Sequence, residues 1–150
     1  MSSIFLFGKR SLSMLEGVRP ELILVLSRGL LYSPYDFGVT CGMRGWEDHL
    51  KNLAAGKSWT ENSLHLRQAD GFAWAVDIMA VGDLDRNGIV NMTDKDLTWS
   101  REIYSAIHHQ GMLKASIELG IPIRWGGDWD CDGDSGDQAH FDGPHFELRR

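Results

Sequence analysis

Apolar and polar positions fall along the chain in blocks that define a succession of elements. From Pro20 to Tyr32 the segment opens with Pro then Glu, as a helix N-terminus prefers, and stays apolar enough to be largely buried; Ser33-Pro34 stops it. Asp36 to Cys41 reads as a short strand, Trp46 to Ala55 as a helix closed by Gly56, and Phe72 to Ala80 as a strand with a near-continuous buried face. Leu97 to Leu119 predicts one long helix ended by Gly120, and Ile121 to Trp125 returns as a strand. The last strand, Pro144 to Leu148, puts His145 and Glu147 on one face and Phe146 and Leu148 on the other. The expected class is α+β, a small antiparallel sheet with packed helices.

Composition narrows this further. A chain of 150 residues, 43% hydrophobic and 10% aromatic, suits a single domain with a core that needs no disulfide staples. Lys and Arg number 15 against 21 Asp and Glu, for a net charge of −6. Six of the acids, Asp128, Asp130, Asp132, Asp134, Asp137 and Asp142, share one stretch with no Lys or Arg, so the remaining chain balances at 15 against 15. Such a cluster repels phosphate and attracts divalent cations, which excludes nucleic acid as a partner. Cys41 and Cys131, far apart and in no metal-like pair, read as free thiols. The run Ile4-Phe5-Leu6-Phe7 is too short for a signal peptide and has its basic residues after it, and no stretch approaches a membrane span. The expectation is synthesis in the cytoplasm without a signal peptide and no stable membrane insertion.

Candidate chemistry sits in Ser63-Leu64-His65, Ala75-Val76-Asp77-Ile78, Trp125-Gly126-Gly127-Asp128-Trp129 and Asp142-Gly143-Pro144-His145-Phe146-Glu147-Leu148. A lone buried histidine is more often a hydrogen-bonded core residue than a ligand, and a lone aspartate more often a turn or cap. In this order, together with Phe7-Gly8-Lys9-Arg10-Ser11-Leu12 and the Arg44 region, the segments resemble the LAS zinc metallopeptidases over most of the chain. That family includes D-Ala-D-Ala carboxypeptidases and the L-alanyl-D-glutamate endopeptidases used as phage endolysins. The resemblance implies zinc ligands His65, Asp77 and His145, at the sheet face. Two neutral imidazoles and one carboxylate leave a catalytic zinc acidic enough to make hydroxide near neutral pH. Asp142, three residues before His145, matches the family's general base, and Arg44 its arginine for a substrate carboxylate or the developing oxyanion. Ser63 matches a small polar residue that positions its neighbours.

One departure stands out. Eleven residues separate His65 from Asp77, where the family's usual pattern has six. An insertion at Arg67 to Gly71 accounts for the difference and creates Asp70 as a rival carboxylate; Asp77, followed by Ile78, fits the motif better. His49, His108 and His109 read as helix-face residues, and His140, Trp129 and Trp74 as packing or loop positions.

A second metal is indicated by Asp83 to Asp94, which fits a twelve-residue EF-hand loop. The calcium ligands would be the side chains of Asp83, Asp85, Asn87, Asn91 and Asp94 and the carbonyl of Ile89, with Gly88 at the sharp turn and Val90 pinning the loop to the core. Asp94 stands where a bidentate glutamate is usual, as in dockerin loops. The competing reading is a polar turn with Thr93 or Asp94 capping the long helix. The acidic loop at 128–142 begins with the same alternation but has Ala139 at its twelfth position.

Together these features predict one catalytic domain over residues 1–150, with the EF-hand-like insertion at 83–94 and the acidic loop at 128–142. Its expected activity is that of a zinc, and calcium-responsive, endolysin hydrolysing L-Ala-D-Glu in peptidoglycan stem peptides. It would reach the periplasm or cell wall after release through a holin or similar pore. The alternatives are a D-Ala-D-Ala carboxypeptidase on the same scaffold and a non-catalytic calcium-binding module.

Overall fold

The computed structural model describes residues 4–56, 63–133, 136 and 141–149. Four strands, β1 (Asp36–Cys41), β2 (Ala75–Val81), β3 (Ile123–Trp125) and β4 (His145–Leu148), form one sheet in the order β1-β2-β4-β3, each pair antiparallel. The helices are α1 (Lys9–Met14), α2 (Pro20–Tyr32), α3 (Trp46–Ala54), α4 (Met92–Lys95), α5 (Arg101–Ala106) and α6 (Leu113–Leu119). A π-helical stretch, Ile107–Met112, joins α5 to α6.

Strand alternation sorts the side chains by face. Val76, Ile78 and Ala80 of β2 and Phe146 of β4 join Phe37 and Val39 of β1 and Leu22, Val25, Leu26 and Leu30 of α2 in one buried cluster. Asp77 and His145 consequently project from the opposite face.

Local signals set α2, β1 and α3 to within a residue of expectation. The expected strand over 72–80 starts instead at Ala75, because the amides of the three residues before it bond elsewhere: Phe72 N–H donates to Asp70 Oδ1, Ala73 N–H to Gly17 O and Trp74 N–H to Leu64 O. Helix α1 was not foreseen; its Ser11 hydroxyl is buried and accepts the Val39 N–H of β1 at 3.0 Å.

The single helix expected over 97–119 begins at Arg101 and is interrupted. Its buried positions are Ile103, Tyr104, Ile107, His108, Gly111, Met112, Ala115 and Ser116, a pair every four residues. An α-helix carrying a four-residue repeat rotates its buried stripe by about 40° per repeat, and the wider π turns absorb that drift. Gly111 faces Gly29 of α2: a Cβ on Gly111 would come within 2.7 Å of Gly29 O, so glycine permits the crossing. Gly120, at φ +68°, ends α6 as expected.

Candidate active site

Register assembles the site. Cys41 of β1 pairs with Asp77 of β2, and Asp77 with His145 of β4, so three polar side chains stand in one row across three strands. His65 arrives from the preceding loop, where its N–H donates to Ser63 Oγ at 3.2 Å and its carbonyl accepts the Arg44 N–H at 2.8 Å. His65 Nε2 lies 3.3 Å and His145 Nδ1 3.2 Å from the same oxygen, Asp77 Oδ1. Asp142 joins Asp77 and His145, their donor atoms lying within 4.8 Å of one another.

The outer ring atoms decide what these groups offer. His65 Nδ1 is 2.8 Å from the Gly42 carbonyl, which can only accept, so that nitrogen carries the proton. His145 Nε2 is 2.8 Å from Glu147 Oε1, which fixes its tautomer in the same way. In neutral rings the inner nitrogens are then lone pairs, and both face a carboxylate oxygen. Three donors converge with no proton between them, an arrangement that calls for a cation and fits a zinc-type set of two imidazoles and one carboxylate. Protons meet the same demand: burial opposes charge on His65, yet its hydrogen bonds to Asp77 and Cys41 raise its pKa to about 10. His145 is raised likewise, against burial, by Asp77 and Glu147, and Asp77 is held below the ordinary carboxylate range despite its burial.

A family model described as Phage L-alanyl-D-glutamate peptidase matches residues 2–149. The chain belongs to that family. The peptidase is 33% identical over 147 residues to the L-alanyl-D-glutamate peptidase of Escherichia phage T5, covering 96% of this chain and 98% of that one. It also superimposes on the L-Ala D-Glu endopeptidase ChiX of Serratia marcescens with a TM-score of 0.69 at 30% identity, over 96% of this chain and 90% of that one.

Around the peptidase's row, Arg44 reaches inward, its Nη2 3.9 Å from Asp77 Oδ2 and 3.7 Å from Cys41 Sγ. Burial raises the Asp142 pKa, and the Asp77 charge adds to this; His145, His65 and Arg44 act in the opposite sense. A carboxyl raised in this way holds a proton more readily than an exposed one, as a group that takes up and returns a proton needs to. Its backbone is gripped closely: Asp142 N–H donates to Gly126 O at 2.8 Å, and a Cβ on Gly126 would fall 2.1 Å from Asp142 O. Asp70 is turned away, bonded to Arg19 and to Trp74 Nε1.

Cys41 and Glu147 were not singled out from sequence as site residues. Glu147 had a usable signal, being two residues from His145 on the same strand face; Cys41 enters only through the β1–β2 register. The Trp129 ring lies 5.2 Å from that of His145. His108 stacks on Trp125 at 4.6 Å, with His109 beside it, and His49 lies on α3 as expected, fully buried. His140 and Ala139 lie outside the described residues.

The 83–94 loop brings Asp83, Asp85 and Asp94 together. Asp94 is committed to the backbone: Oδ1 accepts the N–H groups of Leu84 and Asp85, and Oδ2 that of Asn91. Asn87 Oδ1 accepts the Ile89 N–H. Asn91, rather than Thr93 or Asp94, caps a helix, and that helix is the short α4. Leu84 anchors the loop, whereas Val90 is 71% exposed instead of pinning it. The first six residues of the 128–142 loop repeat this conformation. Arg86 and Cys131 both have φ +58°, and Gly88 and Gly133 have φ +85° and +84°. Asp83 accepts the N–H groups of Asn87 and Gly88 just as Asp128 accepts those of Asp132 and Gly133.

Proposed function

We propose that this peptidase hydrolyses the L-Ala-D-Glu bond of peptidoglycan stem peptides with a zinc ion held by His65, Asp77 and His145. The observation that carries the reading is the convergence of His65 Nε2, His145 Nδ1 and Asp77 Oδ1, with both outer ring nitrogens satisfied by Gly42 O and Glu147. The bond is supported by the activity named for the phage T5 and Serratia relatives. A zinc ion there supplies Lewis acidity, polarising the scissile carbonyl and making water a nucleophile near neutral pH. Asp142 accepts the proton of the attacking water and returns it to the leaving amine. Arg44, beside Asp77, holds negative charge on a substrate carboxylate or the developing oxyanion.

The enzyme acts in the periplasm or cell wall, released through a holin or similar pore. Calcium would be held by the clustered carboxylates of Asp83, Asp85 and Asp94, with the Asn87 and Asn91 side chains turned from their present hydrogen bonds and the Ile89 carbonyl completing the set, and would order the wall of the site by neutralising that charge. The test is digestion of purified Gram-negative peptidoglycan by the zinc-loaded protein, with mass spectrometry of the products. New free L-Ala carboxyl and D-Glu amino ends are expected, and release of terminal D-alanine alone would mean a carboxypeptidase instead. Equal turnover in calcium and in a calcium-selective chelator would remove the calcium role.

A further inference from the structure

Next to the catalytic row lies a cavity of about 460 Å³ lined by Met43, Arg44, Gly45, Trp46, Leu66 and Arg67. Among the described residues two arginines line it and no carboxylate does; Glu47 and Asp48, in the first turn of α3, are not among its lining residues. Arg44 bridges the row and the cavity, lying within ion-pair reach of Asp77. Arg67 also lines it, two residues after His65, and leads into the tight turn closed by Gly71 N–H to Gln68 O and Gln68 N–H to Phe72 O. The acid of that turn, Asp70, is spent on Arg19 and Trp74. The Arg67 guanidinium lies over Gly71, exposed and with no ion pair among the described residues. The wall beside it is apolar and open to solvent, Trp46 being 56% and Met43 47% exposed.

An anion with a short aliphatic stem matches this combination: an unpaired guanidinium fork for the charge and an indole and a thioether for the stem. A glutamate inside a peptide chain has such a group. It commits its amine and one carboxyl to the chain and keeps the other carboxyl ionised, a few bonds from the nitrogen of the bond that precedes it. We propose that this cavity binds the free carboxylate of the glutamate on the leaving side of the scissile bond, with Arg67 as the residue that sets specificity for it. The assignment rests on the L-Ala-D-Glu reading above and extends it to a residue in this chain's own lengthened His65-to-Asp77 segment.

Two muropeptides that differ only in whether that glutamate carboxyl is free or is a carboxamide test the assignment. Wild-type enzyme loaded with zinc is expected to favour the free acid in kcat/KM by about 10- to 100-fold, since a charge-assisted pair is lost with the amide. Arg67→Gln should bring the two substrates to within about threefold of each other, mainly through KM for the acid, with zinc content and Tm held. Arg67→Lys, which keeps the charge without the fork, should fall between. A wild-type enzyme indifferent to the amide, or an Arg67→Gln variant that slows both substrates alike, overturns the assignment. A wild-type enzyme that cleaves neither muropeptide refutes the L-Ala-D-Glu reading itself, and this one with it.

Discussion

Asp77 draws two imidazoles onto one oxygen, and the groups behind those rings set how well the arrangement holds a metal. Glu147 is buried, accepts from His145 Nε2 at 2.8 Å and lies 3.7 Å from Arg124. Glu147→Gln leaves an oxygen to accept the ring proton but removes the charge that makes the ring basic. Zinc affinity should fall about 10- to 100-fold, as read by competition titration, and an unchanged affinity would mean that Glu147 serves packing alone. Asp142→Asn should do the reverse, abolishing turnover while zinc stays bound; activity surviving that change would remove Asp142 from the proton path. His49 lies apart from both. Its two ring nitrogens are buried with no hydrogen-bond partner among the described residues. His49→Leu removes that unmet demand, and a gain of about 1–3 kcal/mol is expected in denaturant unfolding; a loss of stability would show that the imidazole contributes favourably in place.

At the level of elements, what could be read from sequence was what neighbouring residues decide. Pro20, Gly56 and Gly120 mark helix ends that the structure keeps, because caps depend on a few adjacent positions. The start of β2 could not be read, since Phe72 to Trp74 are apolar enough for a strand but their amides donate to Asp70, Gly17 and Leu64. The grouping of His65, Asp77 and His145 could be read only as an ordered motif; that Asp77 and His145 are cross-strand neighbours is a matter of register, which spacing does not carry. The π stretch was hidden for a related reason: its apolar pattern looks helical, and only the contact with α2 shows that the repeat is four. That stretch seats His108 on Trp125, whose Nε1–H donates to the Gly143 carbonyl at 2.7 Å, one residue after Asp142. Trp125→Phe keeps a ring for His108 and Phe146 to pack on but leaves the carbonyl unpaired. Asp142 should then be held less well, lowering kcat more than KM with zinc retained; equal kcat in variant and wild type would confine Trp125 to the core.

Across the whole molecule, the same groups make stability a function of pH and metal. His65 has its pKa raised from 6.5 to about 10 in the fold, and a raised histidine stabilises fully below its unfolded value and loses that contribution as pH climbs through the folded one. His108 has the opposite sign: burial, helped by the charge of His109, lowers it from 6.5 to about 4, so its contribution is present above 6.5 and disappears as pH falls toward 4. Asp77, held below the carboxylate range, keeps its contribution throughout that interval. Metal-free protein should therefore show its highest Tm near pH 6.5, declining on the acid side through His108 and on the alkaline side through His65 and His145. Zinc alters only one of these limbs. Its binding requires neutral imidazoles, so affinity rises as the protons leave, and the ion replaces the favourable charge they supplied. Thermal unfolding of zinc-loaded and metal-free protein from pH 4 to 10 should give curves that run together on the acid side and separate above pH 6.5, with the loaded protein holding its Tm. Metal-free protein equally stable at pH 6.5 and 9.5 would show that the two imidazoles carry no excess proton in the fold, and the case for a cation-seeking cluster would fail with it.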